Sequence, residues 1–351
     1  MVLLNIYGKI EPVVICEKLG IGLSNLDDDW ASGMVECMTE EMLLRAHDLK
    51  IYANRDFDAK IRQYNPTDIV LKANWNSDII TDDTEALIIV SKNLIQLDVL
   101  DFDNSLLQLK NKFMASPTWE VQYPVKFISF CHIISKSEKI KPFCKYGLPF
   151  ITYNSNDMDR RPSVLNYASS MVESEEYVNL YLNNHINSLS YVGNMIDEFL
   201  DDEDDFWIFD YIVNALHDTP QHNAYYIFKM MSLIEMLIIN PIGNGKSQGE
   251  LERKLPRFLI EDISADWDKV SLTEIVRKLR NKIAHGDFKA FQKLLRDYRN
   301  KFMKNFEYDE YEYSIESWTI LSICLTLEHA LGQILFELFS KKNEFYRFRR
   351  S

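Results

Sequence analysis

The chain has 351 residues, of which 46% are hydrophobic and 26% are charged, and its formal net charge is −14 at pH 7. This composition is that of an ordinary globular protein, and the length allows two domains. The acidic balance excludes the class of proteins that coat nucleic acid through a general positive charge.

The first part of the chain is predicted to mix strands and helices. Two apolar runs bounded by Gly and Pro predict strands at 3–10 and 12–19, and period-two alternation predicts a third strand at 119–127. Longer apolar patterns predict helices at 39–49 and 81–100.

A linker and a helical domain are predicted to follow. The linker is the polar segment 153–163, because it is rich in Asn, Asp, Ser and Pro. Beyond it, short polar breaks separate helical patterns, so neighbouring helices are expected to lie antiparallel in a bundle. The expected fold is α+β and predominantly α, with a mixed N-terminal domain at 1–165 and a helical domain at 166–351. The predicted helices of the second domain are 173–200, 204–217, 221–239, 247–261, 270–285, 287–304 and 315–340.

Several features favour a cytoplasmic protein without a membrane anchor. No signal peptide is predicted, because Asn5 and Glu11 interrupt the first apolar run. The most apolar segment, 317–339, carries Glu328 and His329 at its centre and is therefore predicted to be a buried bundle helix. The five cysteines are odd in number and have no C-x-x-C spacing, which favours reduced thiols over a disulfide framework or a zinc site.

One basic island departs from the acidic balance. Residues 272–304 contain ten Lys/Arg and three Asp/Glu, a local charge of +7, so the rest of the chain carries −21. The island predicts a local anion site, although a solvated helix face explains it equally well.

The helix predicted within this island has a marked beginning and end. Ser271 is predicted as its N-cap, with Glu274 completing a capping box, and Gly286 stands where a left-handed C-terminal residue is needed. At helical spacing the apolar side chains fall on one stripe, which is expected to face the core. The stripe consists of Leu272, Ile275, Val276, Leu279 and Ile283.

Three polar residues lie off that stripe. Arg280 sits at its edge, whereas Asn281 and His285 lie on the opposite face, four residues apart and close enough to touch. Glu235 has the same angular relation to the apolar stripe of helix 221–239, so it is expected to meet Arg280 if the two helices are neighbours.

The segment "RNKIAHG", residues 280–286, resembles the R-x4-6-H signature of the HEPN superfamily. Its surroundings, "YYIFKMMSLIEMLII", a variable loop and "IVRKLRNKIAHGDF", are most similar to Apea-like HEPN domains of bacterial defence proteins. The resemblance covers roughly residues 200–345. It implies a metal-independent, cofactor-free endoribonuclease in phage defence or a growth-arresting toxin, with the site shared by a homodimer. An antitoxin or trigger protein is a further implied partner, and the N-terminal domain would sense or regulate.

The chemistry of RNA cleavage explains why these residue types are needed. RNA carries its own nucleophile, the 2′-OH, beside the scissile phosphate. A histidine can act as base or acid near neutral pH, and a guanidinium can hold two phosphate oxygens in one plane. The implied catalytic set is Arg280, His285, Asn281 and Glu235, with Asn281 orienting the imidazole and Glu235 either acting in the site or orienting the arginine. The implied RNA-binding set is Lys282, Lys278, Arg277 and Lys246.

Two alternatives stay open at this point. A degenerate HEPN module would only bind RNA or dimerise, and a histidine at a helix C-terminus is also explained by the helix dipole alone.

Asp287 stands where many HEPN toxins have a tyrosine, and it is expected to weaken the phosphate site or to hold His285 or Arg280. A metal pair of His217 and His222 lacks a third ligand, and the C-terminal tail, 341–350, is predicted to be a solvated end.

Overall fold

The computed structural model describes residues 2–7, 10–25, 49–52, 69–75, 85–90, 94–99, 119–137, 139–140, 150–152, 175–201, 203–216, 222–240, 247–259, 268–304 and 314–351. Within these residues the protein is α+β and predominantly helical, as predicted. The chain divides into two compact units that are not continuous in sequence: Met1–Ile128 with Phe143–Asp197, and Ser129–Pro142 with Glu198–Ser351. The predicted linker, 153–163, and the predicted domain boundary at residue 165 lie outside the described residues.

The first unit contains two antiparallel sheets. One sheet has the strand order β2-β3-β7-β1-β8 and the other has the order β4-β5-β6. In the larger sheet, Val2 pairs with Leu97 on one side and with Thr152 on the other. The strands are β1 (Val2–Tyr7), β2 (Val13–Cys16), β3 (Ile21–Asn25), β4 (Leu49–Tyr52), β5 (Ile69–Trp75), β6 (Glu85–Val90), β7 (Leu94–Val99) and β8 (Phe150–Thr152).

The strand predictions at the N-terminus are confirmed, but the helix predicted at 81–100 is wrong. That segment forms β6 and β7, which belong to different sheets. The runs "EALIIV" and "LIQLDV" are rich in β-branched and alternating apolar residues, and "SKN" separates them as a break. Together the two runs are about as long as an ordinary helix, so the apolar pattern of the whole segment predicts one helix. Of the helix predicted at 39–49, only Leu49 lies within the described residues, where it begins β4.

The strand predicted at 119–127 is also wrong, because this segment begins helix α1 (Trp119–Ser135). The alternation extends over only nine residues, whereas the helix continues through "ISFCHIIS". Phe127, Ile128, Phe130 and Cys131 are all fully buried, so the helix is enclosed on several sides. A helix enclosed in this way has no simple apolar stripe, and tertiary packing overrides the local pattern.

Helix α2 (Glu175–Phe199), which was predicted at 173–200, packs closely on β2 in the first unit. A Cβ added to Gly193 would lie 1.8 Å from the carbonyl oxygen of Ile15, so only glycine permits this approach. Four residues later, the Asp197 carboxylate accepts hydrogen bonds from the backbone N–H groups of Glu17, at 2.9 Å, and Lys18, at 2.8 Å. These contacts fix the turn that follows β2.

The second unit is a helical bundle whose predicted helices are confirmed to within a few residues. Its helices and one 3-10 turn are α3 (Glu203–Leu216), α4 (Ala224–Ile238), α5 (Ser247–Lys254), the 3-10 turn Leu255–Phe258, α6 (Lys269–Ala284), α7 (Phe288–Phe302), α8 (Ile315–Ser340) and α9 (Lys342–Arg350). Helix α4 packs against both α6 and α8, and α6 packs against α7. The rings of Phe130, Phe209 and Phe339 meet edge to face in the core.

Helix α8 is, within the described part of the chain, the one helix long and apolar enough to cross a membrane. More than half of its most apolar window is buried inside the protein, and Glu328 at its centre is buried as well. Gly332 approaches the backbone of α1 so closely that a Cβ there would lie 2.5 Å from the Ile133 oxygen. As predicted, α8 is a core helix of the bundle.

The tail predicted to be a solvated end is instead the ordered helix α9. Phe345 is buried, and Arg349 donates to the carbonyl oxygens of Ile239, at 3.0 Å, and Met236, at 2.8 Å. Buried Lys254 also donates to the Ile238 carbonyl, at 3.2 Å. The last carbonyls of α4 have no partner within their own helix, so these two cations complete its C-terminus.

Candidate functional site

Helix α6 begins earlier than predicted. Its N-cap is Asp268, whose carboxylate accepts from the backbone N–H groups of Val270 and Ser271, each at 3.1 Å. The predicted capping box of Ser271 and Glu274 is therefore wrong, and Glu274 pairs with Lys278 one turn later. An aspartate is an equally good N-cap, and here it lies three residues before the predicted one.

The end of α6 is as predicted. Gly286 has a φ of 66°, its N–H donates to the Ile283 carbonyl, and the N–H of Asp287 donates to the Lys282 carbonyl. This pair of hydrogen bonds is the Schellman arrangement, in which a left-handed glycine closes the helix. It holds His285, the C-cap residue, at a defined corner between α6 and α7.

The two faces of α6 also separate as predicted. Of the predicted stripe, Leu272, Val276 and Leu279 are fully buried, and Ile275 and Ile283 are half-buried. On the other face, His285 is exposed and Asn281 is half-buried. The imidazole of His285 therefore takes no part in the core of its own chain.

Arg280 is held by two neighbours. One Nη donates to the carboxylate of Glu235 on α4, and the other Nη donates to Oδ1 of Asn281 at 2.9 Å. The predicted meeting of Glu235 and Arg280 is thus observed. The arginine side chain is 28% exposed, and its Nε is buried without a hydrogen-bond partner among the described residues. Burial lowers the pKa of Arg280 from its usual value, but a guanidinium remains charged at neutral pH.

The partners of Asn281 and Asp287 differ from those proposed. The carboxamide oxygen of Asn281 accepts a hydrogen bond from Arg280, and the backbone carbonyl of Asn281 accepts one from the backbone N–H of His285. Asp287 bonds Lys282 at 2.9 Å and accepts from the backbone N–H of Ala290, which makes it the N-cap of α7. Lys282 and the Ala290 N–H lower the pKa of Asp287. In the described residues, neither Asn281 nor Asp287 is shown bonding the imidazole.

The cations of α6 that were predicted to bind RNA are each paired with a carboxylate. Lys278 bonds Glu274, and Lys282 bonds Asp287. Arg277 lies 3.4 Å from a carboxylate oxygen of Glu252 on α5, with its side chain only 13% exposed. The fourth predicted residue, Lys246, lies outside the described residues.

Sequence reasoning missed a second set of cations, which lies on α7. Lys289, Lys293 and Arg296 are exposed and follow one another at i, i+4 and i+7, so they share one face of the helix. The basic island of residues 272–304 includes these cations. Its composition alone does not indicate which cations form ion pairs with a carboxylate.

The structure describes only one of the two histidines considered as a metal pair. His217 lies outside the described residues, and Nε2 of His222 is 3.0 Å from the buried carboxylate of Glu328. The hydroxyl of Tyr226 donates to the same carboxylate at 2.8 Å, so Glu328 links the start of α4 to the core of α8. The described residues contain no group of three or more side chains able to hold a metal ion.

The arrangement around Arg280 and His285 has a definite chemical capacity. Within the described residues the guanidinium uses two of its five N–H donors, and the exposed imidazole of His285 lies at the C-terminal end of the same helix. A guanidinium can hold an anion and an imidazole can exchange a proton, which are the two tasks in phosphodiester cleavage. One chain supplies one such histidine.

Comparisons of this chain with protein-family models, with curated proteins and with solved structures found no match.

Proposed function

We propose that the chain is a cytoplasmic, metal-independent endoribonuclease that acts as a homodimer in phage defence or as a growth-arresting toxin. The observation that carries the proposal is the combination of a partly exposed Arg280 held in a fixed direction and an exposed His285 at the end of the same helix, α6. Arg280 is preset by Glu235 and Asn281, and His285 is exposed at a turn fixed by Gly286. This placement agrees with the resemblance of residues 280–286 to the R-x4-6-H signature.

The proposed reaction is attack of the ribose 2′-oxygen on the adjacent phosphorus. A base removes the 2′-OH proton, the guanidinium stabilises the negative phosphorane, and an acid protonates the departing 5′-oxygen. The products are a 2′,3′-cyclic phosphate and a 5′-hydroxyl, and no metal takes part because the nucleophile belongs to the RNA. Acid and base together require two histidines, so His285 of two chains would face one strand across the dimer axis.

The experiment is cleavage of labelled single-stranded RNA in EDTA by the full-length protein. Wild type is expected to produce fragments ending in a 2′,3′-cyclic phosphate, and His285→Ala and Arg280→Ala are expected to lose at least about 100-fold in rate. Arg347→Ala removes an exposed guanidinium from α9 and serves as the matched control with unchanged rate. Absence of cleavage by wild type, or equal cleavage by His285→Ala, would overturn the proposal.

The second candidate is a non-catalytic module that binds RNA or holds a dimer together. It is favoured by the pairing of Arg280 with Glu235, which partly neutralises the guanidinium within one chain. This alternative predicts that His285→Ala binds RNA and acts in cells as wild type does, whereas loss of Arg280 weakens binding. The two readings therefore differ in the effect of His285 alone.

A further inference from the structure

The exposed face of α7 is a basic stripe. Lys289, Lys293 and Arg296 are exposed, while the opposite face buries its aromatic and aliphatic residues against the bundle. At about 1.5 Å per residue, the stripe is roughly 10 Å long. The buried face consists of Phe291, Leu295, Tyr298 and Phe302.

The stripe differs from the cations of α6 in its pairing. On α6, all of the basic residues from Arg277 to Lys282 contact a carboxylate. On α7, no ion pair shown within the described part of the chain includes Lys289, Lys293 or Arg296. Residues 289–297 contain these three cations and one exposed carboxylate, Asp297, so this part of α7 has a net charge of +2, although the whole chain is acidic.

An exposed aromatic ring stands at the beginning of this stripe. Phe288 is the first residue of α7 and is 65% exposed. It lies three residues after His285 and one before Lys289, so the chain itself keeps the three side chains close together. A ring beside a line of cations is the combination that single-stranded nucleic acids bind, since bases stack while phosphates meet the positive charges.

We infer that the α7 stripe is a track for single-stranded RNA, with Lys289, Lys293 and Arg296 on successive phosphates and Phe288 stacked on the base beside the reacting phosphate. The inference rests on the proposed function, and it moves RNA binding from the paired cations of α6 to α7. The occupant is single-stranded because a duplex keeps its bases stacked inside and offers no free base face to Phe288. A second copy of this acidic chain is the other candidate occupant of the stripe, and the sedimentation measurement below tests for it.

The test measures the affinity of full-length protein for a fluorescein-labelled 15-nucleotide RNA in EDTA, by anisotropy over a series of salt concentrations. All proteins carry His285→Ala to prevent cleavage. Replacement of Lys289, Lys293 and Arg296 by Gln is expected to reduce the slope of log K against log salt by about 2, because each phosphate contact contributes about 0.7 for single strands. At low salt the affinity is expected to fall about tenfold or more.

A matched control separates the stripe from net charge. Lys341, Arg347 and Arg350 are exposed cations near and on α9, and replacing all three by Gln changes the net charge by the same amount. This control is expected to leave the salt slope unchanged. An equal decrease in both triple variants, or no decrease in the α7 variant, would overturn the inference.

Phe288→Ala provides a second measurement. The variant is expected to bind single-stranded RNA about fivefold or more weakly, with an unchanged salt slope. The concentration of duplex DNA of the same length that displaces half of the labelled RNA is expected to be unchanged by the substitution. If Phe288→Ala instead lowers the mass of the protein in sedimentation, the ring packs between copies and the stacking role is wrong. If duplex DNA competes as well as RNA, the track is not specific for single strands and the inference is wrong.

Failure of the inference and failure of the proposed function have different signatures. If wild type cleaves RNA and the α7 variants bind RNA as wild type does, the inferred track is wrong and the proposed nuclease function is supported. Loss of binding in the α7 variants without any cleavage by wild type keeps the track and supports the non-catalytic module. A wild-type protein with no affinity for RNA at low salt removes both.

Discussion

Glu235 and Arg280, 45 residues apart in sequence, form an ion pair that joins α4 to α6. Both side chains are partly shielded from water, with exposed fractions of 16% and 28%. The pair therefore has two consequences: it ties the two helices together, and it sets the direction of the guanidinium. Removal of one partner leaves the other charge without its counterion in a half-buried position.

Glu235→Ala is expected to lower the free energy of unfolding by about 1–2 kcal/mol, since a hydrogen bond to a charged group is lost at a partly exposed site. Glu235→Gln keeps an acceptor for Arg280 and is expected to cost less. Urea unfolding of the two variants measures the difference. A double-mutant cycle with Arg280→Ala isolates the pair, and a coupling energy near zero would show that the contact contributes nothing to stability.

Gly286 is expected to resist substitution because of its backbone. Its φ of 66° is unfavourable for an L residue, while a Cβ there would meet nothing within 4 Å, so Gly286→Ala costs about 1 kcal/mol from backbone strain alone. Gly249, in α5, also has open space around it and has no positive φ, so Gly249→Ala is expected to stabilise by about 0.5–1 kcal/mol. Thermal unfolding of both variants checks the opposite signs, and equal signs would contradict the account.

The sequence predicted the helical bundle well because each helix carries its own apolar stripe and its own end signals. Gly286 and the stripe through Val276 illustrate this, as both follow from local rules. The β6–β7 segment could not be predicted in the same way, because the partners of β7, strands β1 and β3, are distant in sequence and because a short polar break is hidden in a long apolar run.

The candidate site divides along the same line. The face of His285 followed from helical periodicity, and so did the meeting of Arg280 with Glu235 once the helices were neighbours. The partner of each α6 lysine did not follow, since ion pairs depend on side-chain conformations that composition does not fix. The order of α9 was also missed, because its half-buried Arg349 donates to carbonyls more than 100 residues earlier in the sequence.

Arg349→Ala is expected to lower the free energy of unfolding of the helical unit by about 1–3 kcal/mol. The guanidinium satisfies two carbonyl oxygens at the C-terminus of α4, and charged donors to such groups contribute at this level. Arg347→Ala removes an exposed guanidinium two residues earlier and is the matched control. Guanidinium chloride unfolding is the measurement, and equal midpoints for the two variants would show that α9 does not support α4.

His185 is expected to make stability depend on pH. Burial lowers the pKa of this histidine from 6.5 to about 4, so the folded state disfavours its protonation. A lowered folded pKa means that the stabilisation is complete above pH 6.5 and is lost as the pH falls towards 4, by up to about 3 kcal/mol. His185→Gln cannot take up this proton. Unfolding midpoints between pH 4 and 7 should therefore vary less in His185→Gln, and parallel profiles for the two proteins would contradict the prediction.

If acid and base are supplied by His285 of two chains, a dimer of one wild-type chain and one His285→Ala chain should be inactive. Subunits are allowed to exchange between wild type and a ninefold excess of His285→Ala, so that only about 1% of dimers contain two active chains. The same amount of wild type alone would form active dimers equal to about 10% of that total, so RNA cleavage is expected to fall about tenfold. An excess of Arg347→Ala in place of His285→Ala should leave the rate no lower than that of wild type alone. If cleavage per wild-type chain stays constant in the His285→Ala mixture, one histidine is sufficient, and the composite site is lost even if the enzyme remains a nuclease.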